Sequence, residues 1–289
     1  MDPLKQRVLS RIAEDYKKIS PVAPQKIVDD VFNPVRLQEQ VDQMECDIGQ
    51  LAGKRILDVG SGYGLLLVEA AKRGALVTGL EPSQDGFYGE TLEISRSIVT
   101  QAGLPSSCVV DACAEHMPFA DGTFDVVHSA NVLEHVADPK RSFDEMVRVL
   151  KPGGLLHLTV PNYGSFWEGH YVLFWLPYLP KPLGRFYVRL WGRDPGFLDT
   201  LQLINYFSLR NFVRRHAPFL EIQTYGEQLF AQRMHAASAG SWAGLSKVQR
   251  WVDLLKRLKL IPLATRIAIA CKAFTPLVLI AKKKGGDSL

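Results

Sequence analysis

The sequence predicts an α/β fold: a doubly wound, mostly parallel sheet with helices on both faces. Three observations carry this expectation. Short apolar runs alternate with helical patterns from residue 54 to residue 160. The first apolar run ends in a glycine-rich turn, Gly60-Ser-Gly-Tyr-Gly64, which opens a helix. The composition, 47% hydrophobic and 22% charged over 289 residues, suits a chain able to bury a sizeable core, and excludes collagen-like, coiled-coil and wholly disordered classes. Strands alternating with helices at this spacing pair in parallel through right-handed crossovers.

Residues 1–50 read as an N-terminal helical segment. Leu4, Val8 and Ile12 share one helical face, and Pro21, Pro24 and Pro34 punctuate the stretch after it. Residues 51–289 read as the main domain. Strands are expected at 55–59, 75–80, 107–110, 124–129 and 155–160, and helices at 65–73, 90–102 and 139–150. The last of these helices is stopped by Lys151-Pro-Gly-Gly154. After Pro161 the rhythm breaks, and 162–218 read as an insertion. Its part 162–200 is crowded with Tyr163, Phe166, Trp167, Tyr171, Phe174, Trp175 and Tyr178. Those aromatics either line an acceptor pocket or form a small core of their own, with Trp167, Phe174, Trp175 and Trp191 in it. Residues 201–215 read as helix and 219–225 as strand. Residues 240–274 read as basic amphipathic helices, with Val248, Trp251, Val252, Leu255 and Leu258 on one face. A last strand is expected within 276–284.

Cys46, Cys108, Cys113 and Cys271 form no C-x-x-C pair, so reduced thiols in a cytoplasmic protein are expected. The opening residues place charges every few positions and build no export signal. The apolar stretch 260–281 is interrupted by Arg266, Lys272, Pro262 and Pro276, so no membrane span is expected. The net charge of +4 conceals an asymmetry. Residues 1–179 hold 16 Lys+Arg against 24 Asp+Glu (−8), and residues 180–289 hold 18 against 6 (+12). A basic C-terminal third suits an anionic partner such as a membrane surface, a phosphorylated substrate or nucleic acid, or is simply a solvated face.

The glycine turn carries the first chemical signal. Glycines let the backbone turn tightly and approach a ligand with no Cβ in the way. The pattern is GxGxG at 60, 62 and 64; the dinucleotide form GxGxxG would need glycine where Leu65 stands. Glu81 ends the next strand, 17 residues beyond Gly64, where a carboxylate can accept hydrogen bonds from both ribose hydroxyls of a nucleoside. A tight turn without ligand and a solvated glutamate are the plainer readings of the two features.

Four blocks in order, LDVGSGYG (57–64), GLEPS (79–83), AEHMPFADGTFDVVHSANVLEHVADP (114–139) and RVLKPGG (148–154), resemble the core of class I S-adenosylmethionine-dependent methyltransferases. The subgroup they resemble contains the ubiquinone and menaquinone biosynthesis enzymes. The resemblance implies a Rossmann-like sheet of seven strands and S-adenosyl-L-methionine as cofactor. It implies that Gly60, Ser61 and Gly62 pass under the methionine part, with Asp58 near the ammonium group. Glu81 would hold the ribose and Pro82 would lie against the adenine. The family usually has aspartate where Cys113 stands, with Asp111 two residues earlier, which leaves the adenine amino group to the backbone N–H of Ala114. Segment 129–131, ending at Asn131, would close over the methionine end.

Methyl transfer is an in-line displacement, so the protein mainly positions and desolvates. A base is needed only where the acceptor must lose a proton. Candidates are His170, Tyr171 and His135, while His128, inside a core strand, is expected to be a satisfied buried histidine. No spacing of His, Asp or Glu suggests a metal. The expected function is methyl transfer to an O or C nucleophile of a small-molecule, lipid-like or glycan acceptor. The expected partners are that acceptor and an anionic membrane surface. A nucleic-acid methyltransferase is disfavoured, because SANVLEHV stands where a [DNS]PP[YFW] block would. A catalytically silent cofactor-binding subunit is the third reading.

Overall fold

The computed structural model describes residues 3–83, 89–236 and 246–285. Three helices come first: α1 (Pro3–Tyr16), α2 (Pro24–Val31) and α3 (Pro34–Ile48). Leu4, Val8 and Ile12 are buried as their spacing predicts. The Asn33 side chain accepts the N–H groups of Val35 and Arg36, and Pro34 fills the first helical position, which together start α3.

The main domain continues as β1 (Arg55–Val59), α4 (Leu65–Lys72), β2 (Leu76–Leu80), α5 (Thr91–Gln101), β3 (Val109–Val110), β4 (Phe124–Ala130), α6 (Pro139–Val149) and β5 (Leu150–Val160). An insertion carries the short hairpin β6 (Trp167–Glu168) and β7 (Leu173–Phe174), then α7 (Lys181–Leu190) and α8 (Gly196–Thr200). The chain closes with α9 (Tyr206–Arg215), β8 (Leu220–Thr224), α10 (Glu227–His235), α11 (Ser246–Arg257), α12 (Ile261–Ala270) and β9 (Leu277–Lys283).

Seven strands form one sheet in the order β3-β2-β1-β4-β5-β9-β8. β9 runs antiparallel to both β5 and β8, and the other pairs are parallel. The strand order reverses between β1 and β4. In an open α/β sheet that is where two loops diverge and leave a crevice beyond the carboxyl ends of the strands.

Three elements differ from their sequence pattern. The strand expected at 107–110 shrinks to β3, because Cys108 N–H bonds back to Pro105 O and curls 106–108 into a single 3₁₀ turn. The helix expected at 201–215 begins at Tyr206, where Asn205 and Ser208 form a reciprocal cap. Before that cap the chain is extended, and Gln202 N–H donates to Glu134 O while Tyr163 N–H donates to Ile204 O. β5 begins earlier than expected, at Leu150, and its register with β4 shifts between Phe124 and Val126. Gly154 lies within that irregular stretch, where a Cβ would stand 2.9 Å from Asp125 O.

The insertion has its own core of Tyr163, Tyr171, Leu173, Trp175, Val188 and Leu198, which Ile19 of the N-terminal segment joins. Trp167, Phe174 and Trp191 are not in it, and the last two are 51% and 57% exposed.

Candidate functional site

The crevice at the switch point is a cleft floored by the carboxyl ends of β1 and β4. Asp58, Gly60, Ser61, Gly62, His128 and Ala130 line it from the sheet side. Arg36, Leu37 and Gln40 of α3, with Val31 of α2, close it from the N-terminal segment. Arg36 was not singled out by the sequence; no local motif marks it, and only the packing of α3 over the glycine turn brings it here. Burial lowers its guanidinium pKa and the charge of Asp30 works against that.

Gly60, Gly62 and Gly64 all hold positive φ, +67°, +52° and +74°. A Cβ on Gly60 would come within 2.3 Å of the Val132 side chain. The turn after β1 is therefore locked against the segment after β4. Gly60→Ala is expected to add about 1–3 kcal/mol of backbone strain and to displace Val132 as well. A lowered melting temperature together with weakened ligand binding is the expected result; unchanged values for both would contradict this packing.

Glu81 comes directly after β2 and is 7% exposed. Gly62 N–H donates to its Oε2 at 2.8 Å, so the carboxylate is held against the glycine turn from the side. Burial lifts its pKa to about 7, against the pull of the Gly62 N–H and helped by the nearby charge of Asp58. Pro82 is the next residue. Ser83 N–H donates to Asp111 Oδ1 at 2.7 Å, which lowers the Asp111 pKa. Asp111 thus secures the 81–83 turn. Cys113 is exposed, and burial followed by the charges of Glu115 and Asp111 raises its thiol pKa. Ala114 is buried.

Beyond β4, Asn131 adopts φ +57° and its N–H donates to Thr159 O. The chain then runs through Val132 to Glu134 and His135. His170 sits in the turn of the β6–β7 hairpin and meets them there, its ring 5.3 Å from that of His135, with Phe197 also 5.3 Å from His170. His170 Nδ1 lies 2.7 Å from Oε1 of Glu168, at the base of that hairpin. Tyr171 N–H donates to the other oxygen of Glu168 at 2.6 Å.

The electrostatics divide these groups. Burial works against the imidazolium of His170, but the charge and hydrogen bond of Glu168, with Glu134 beyond, leave its pKa raised. Glu168, despite burial, is held low by His170 and the backbone N–H groups. Burial lifts Glu134 to about 7, with His170 pulling it down and Glu168 pushing it up, and neither of its carboxylate oxygens has a hydrogen-bond partner. Burial, then the neighbouring His170, brings His135 down to about 3.

Spacing along the chain suggested no metal-ligating set, and the fold brings one candidate group together. Ligand atoms of Glu134, His135 and His170 lie within 4.8 Å of one another. Only the fold brings His170 to the other two. Glu134 and Glu168 were also missed, although Glu134 stands beside His135 in the sequence. Tyr171 is drawn the other way. It is fully buried, and its hydroxyl donates to Asp194 O and accepts from Leu198 N–H, which ties the insertion together. His128 is buried as expected, but it also lines the cleft.

Residues 57–158 match the family model described as a methyltransferase domain. An uncharacterized methyltransferase of Mycobacterium sp. (strain JLS) is 37% identical over 140 residues, 46% of this chain and 52% of its own. A ubiquinone biosynthesis O-methyltransferase of Escherichia coli O157:H7 is 35% identical over 137 residues, 47% of this chain and 53% of its own. The chain thus spans about half the length of these relatives. Among solved structures, an S-adenosylmethionine-dependent methyltransferase from Mesorhizobium loti superposes with a TM-score of 0.51 at 17% identity, over 84% of this chain and 96% of that one. Haemonchus contortus phosphoethanolamine N-methyltransferase 2 in complex with S-adenosyl-L-methionine gives a TM-score of 0.51 at 20% identity, over 86% of this chain and 53% of that one. Glycine turn, switch-point cleft and sheet order agree with that match: residues 57–158 of this chain match a methyltransferase domain, on the seven-stranded fold of S-adenosylmethionine-dependent methyltransferases.

Proposed function

We propose that the protein transfers the methyl group of S-adenosyl-L-methionine to a hydroxyl oxygen of a small, ring-bearing or lipid-like acceptor. One observation carries the cofactor part: the buried Glu81 carboxylate is pinned by Gly62 N–H beside a glycine turn at the switch point. That arrangement accepts ribose hydroxyls and offers no phosphate cradle of the GxGxxG kind. The residues fit the cofactor elsewhere too. Asp58 and Arg36 give the cleft a carboxylate and a guanidinium, which suit the ammonium and carboxylate of an amino acid. The relatives named as O-methyltransferases support oxygen as the nucleophile. Titration calorimetry is expected to show binding of S-adenosylhomocysteine and none of nicotinamide or flavin dinucleotides. The reverse pattern would overturn the reading.

When bound, the cofactor supplies a methyl group already activated by its sulfonium. The chain holds it by Asp58, the turn 60–64 and Glu81, and Val132 links that turn to the acceptor side. His170 is the general base. With Glu168 on Nδ1, its other nitrogen takes the acceptor's proton, and the carboxylates on either hand stabilise the imidazolium that results. Phe197 packs against the two histidine rings and helps exclude water. The trio Glu134, His135 and His170 favours one second reading, in which a divalent cation binds the acceptor. Turnover that survives a chelator supports the base; loss with a chelator and return with Mg²⁺ supports the cation.

An anionic membrane surface is the proposed partner from which a lipid-like acceptor is collected. The stripe expected on α11 divides in the structure: Val252 is buried, while Trp251 and Leu258 stand 66% and 57% exposed. The side chain of Val248 lies outside the described residues, as do residues 240–245 of the expected basic segment. Leu263 and Ile267 on α12 are exposed as well, among Arg250, Lys256, Arg257, Lys259 and Arg266. No helix among the described residues is long and apolar enough to cross a membrane. Each basic residue close to an anionic surface contributes about 1 kcal/mol. The protein is expected to float with anionic vesicles at low salt and to be released as salt rises. Sedimentation away from anionic vesicles at low salt would remove this partner.

A further inference from the structure

Asp58 on β1, His128 on β4 and His157 on β5 are successive partners across three parallel strands, Asp58 opposite His128 and His128 opposite His157. Their side chains therefore project from the same face of the sheet. They are 4%, 3% and 9% exposed. His128 Nδ1 lies 2.7 Å from Asp58 Oδ1. The rings of His128 and His157 stack, with centroids 5.4 Å apart and planes 20° from parallel. Burial, then His128, brings His157 down to about 3, so it stays uncharged, and its Nδ1 has no hydrogen-bond partner. His157 is thus a flat, neutral ring behind His128, and it restricts rotation of the His128 ring.

A carboxylate at the floor of a cleft needs a donor, since a buried charge without one is costly. Lysine or arginine would satisfy it and also cancel the charge that a cationic ligand seeks. An imidazole N–H satisfies it without a permanent charge, and the strand register sets the direction from which it does so. With Asp58 ionised, the bond requires the proton on Nδ1. Both residues line the cleft beside Gly60 and Gly62.

We infer that His128 is a positioning residue for the amino-acid end of the cofactor: its Nδ1–H orients the Asp58 carboxylate toward the ammonium group. The inference rests on the proposed reading of the cleft as an S-adenosylmethionine site. It assigns recognition of one half of the ligand to a residue on β4 that acts only through Asp58.

The test uses two variants and two ligands. In His128→Asn the amide nitrogen replaces Nδ1; in His128→Gln it sits near the position of Nε2 and no longer meets Asp58. S-adenosylhomocysteine contains the amino acid, and 5′-methylthioadenosine keeps the nucleoside and thioether without it. Calorimetry on the full chain is expected to give His128→Asn an affinity for S-adenosylhomocysteine within about threefold of the parent. His128→Gln is expected to lose about tenfold or more, the scale of a hydrogen bond to a charged group. Both are expected to bind 5′-methylthioadenosine as the parent does. A packing role alone would favour the larger glutamine and move both ligands together; that outcome, or unchanged affinity in His128→Gln, overturns the inference. A parent protein that binds neither nucleoside overturns the cofactor reading and this inference with it. Binding of 5′-methylthioadenosine with an unaltered His128→Gln sinks the inference alone.

Discussion

Replacing His170 by alanine is expected to lower kcat by about 10²–10⁴-fold, the usual contribution of a positioned base. The affinity for S-adenosylhomocysteine should stay within about twofold, because His170 lies on the hairpin turn and not among the residues lining the cofactor cleft. Glu168→Gln should produce a smaller loss in the same direction, since it leaves the imidazole in place but weakens the bond at Nδ1. The pH dependence has a definite sign. The base acts unprotonated, and Glu168 and Glu134 raise its pKa against the effect of burial. Turnover should therefore climb with pH along a limb that lies above 6.5, the ordinary value for histidine. Measurement with aromatic hydroxyl acceptors, with and without added imidazole, checks both points. An alanine variant with full kcat would remove His170 from the chemistry.

The second large effect concerns Glu81→Ala, which is expected to weaken binding of S-adenosylhomocysteine by about 1.5–3 kcal/mol, or roughly 10- to 150-fold. It removes a buried acceptor and leaves the Gly62 N–H without its partner at the same time. The carboxylate accepts best when ionised, and burial places its pKa at about 7 in the free protein. Affinity should thus fall as pH drops through 7, by about tenfold for each unit below it, and level off above 8. Glu81→Gln should bind weakly with little pH dependence over the same range. Calorimetry from pH 6 to pH 8.5 reads the parent and both variants, and a flat profile in the parent protein would contradict the role given to Glu81.

The glycine turn and the carboxylate beside it were legible in the linear sequence because their determinants are local. A glycine turn after an apolar strand and a carboxylate at the end of the next one occupy fixed offsets in a β-α-β unit, so Gly60, Gly62 and Glu81 could be named from the sequence alone. The strands 55–59 and 124–129 were equally plain, since buried parallel strands read as unbroken apolar runs. The tertiary structure decided the rest. Arg36 reaches the cleft only because α3 packs over the glycine turn, a contact between segments with no shared motif. Glu134, His135, Glu168 and His170 become one group because the insertion folds back on the loop after β4, held there by Gln202 N–H to Glu134 O and by the Gln202 side-chain amide to Val136 O. Tyr171, adjacent to His170 and chemically as eligible, is turned into that insertion's core instead. Residue type and spacing set what a side chain can do; which partners it meets depends on long-range packing, and their burial and charge then set its protonation.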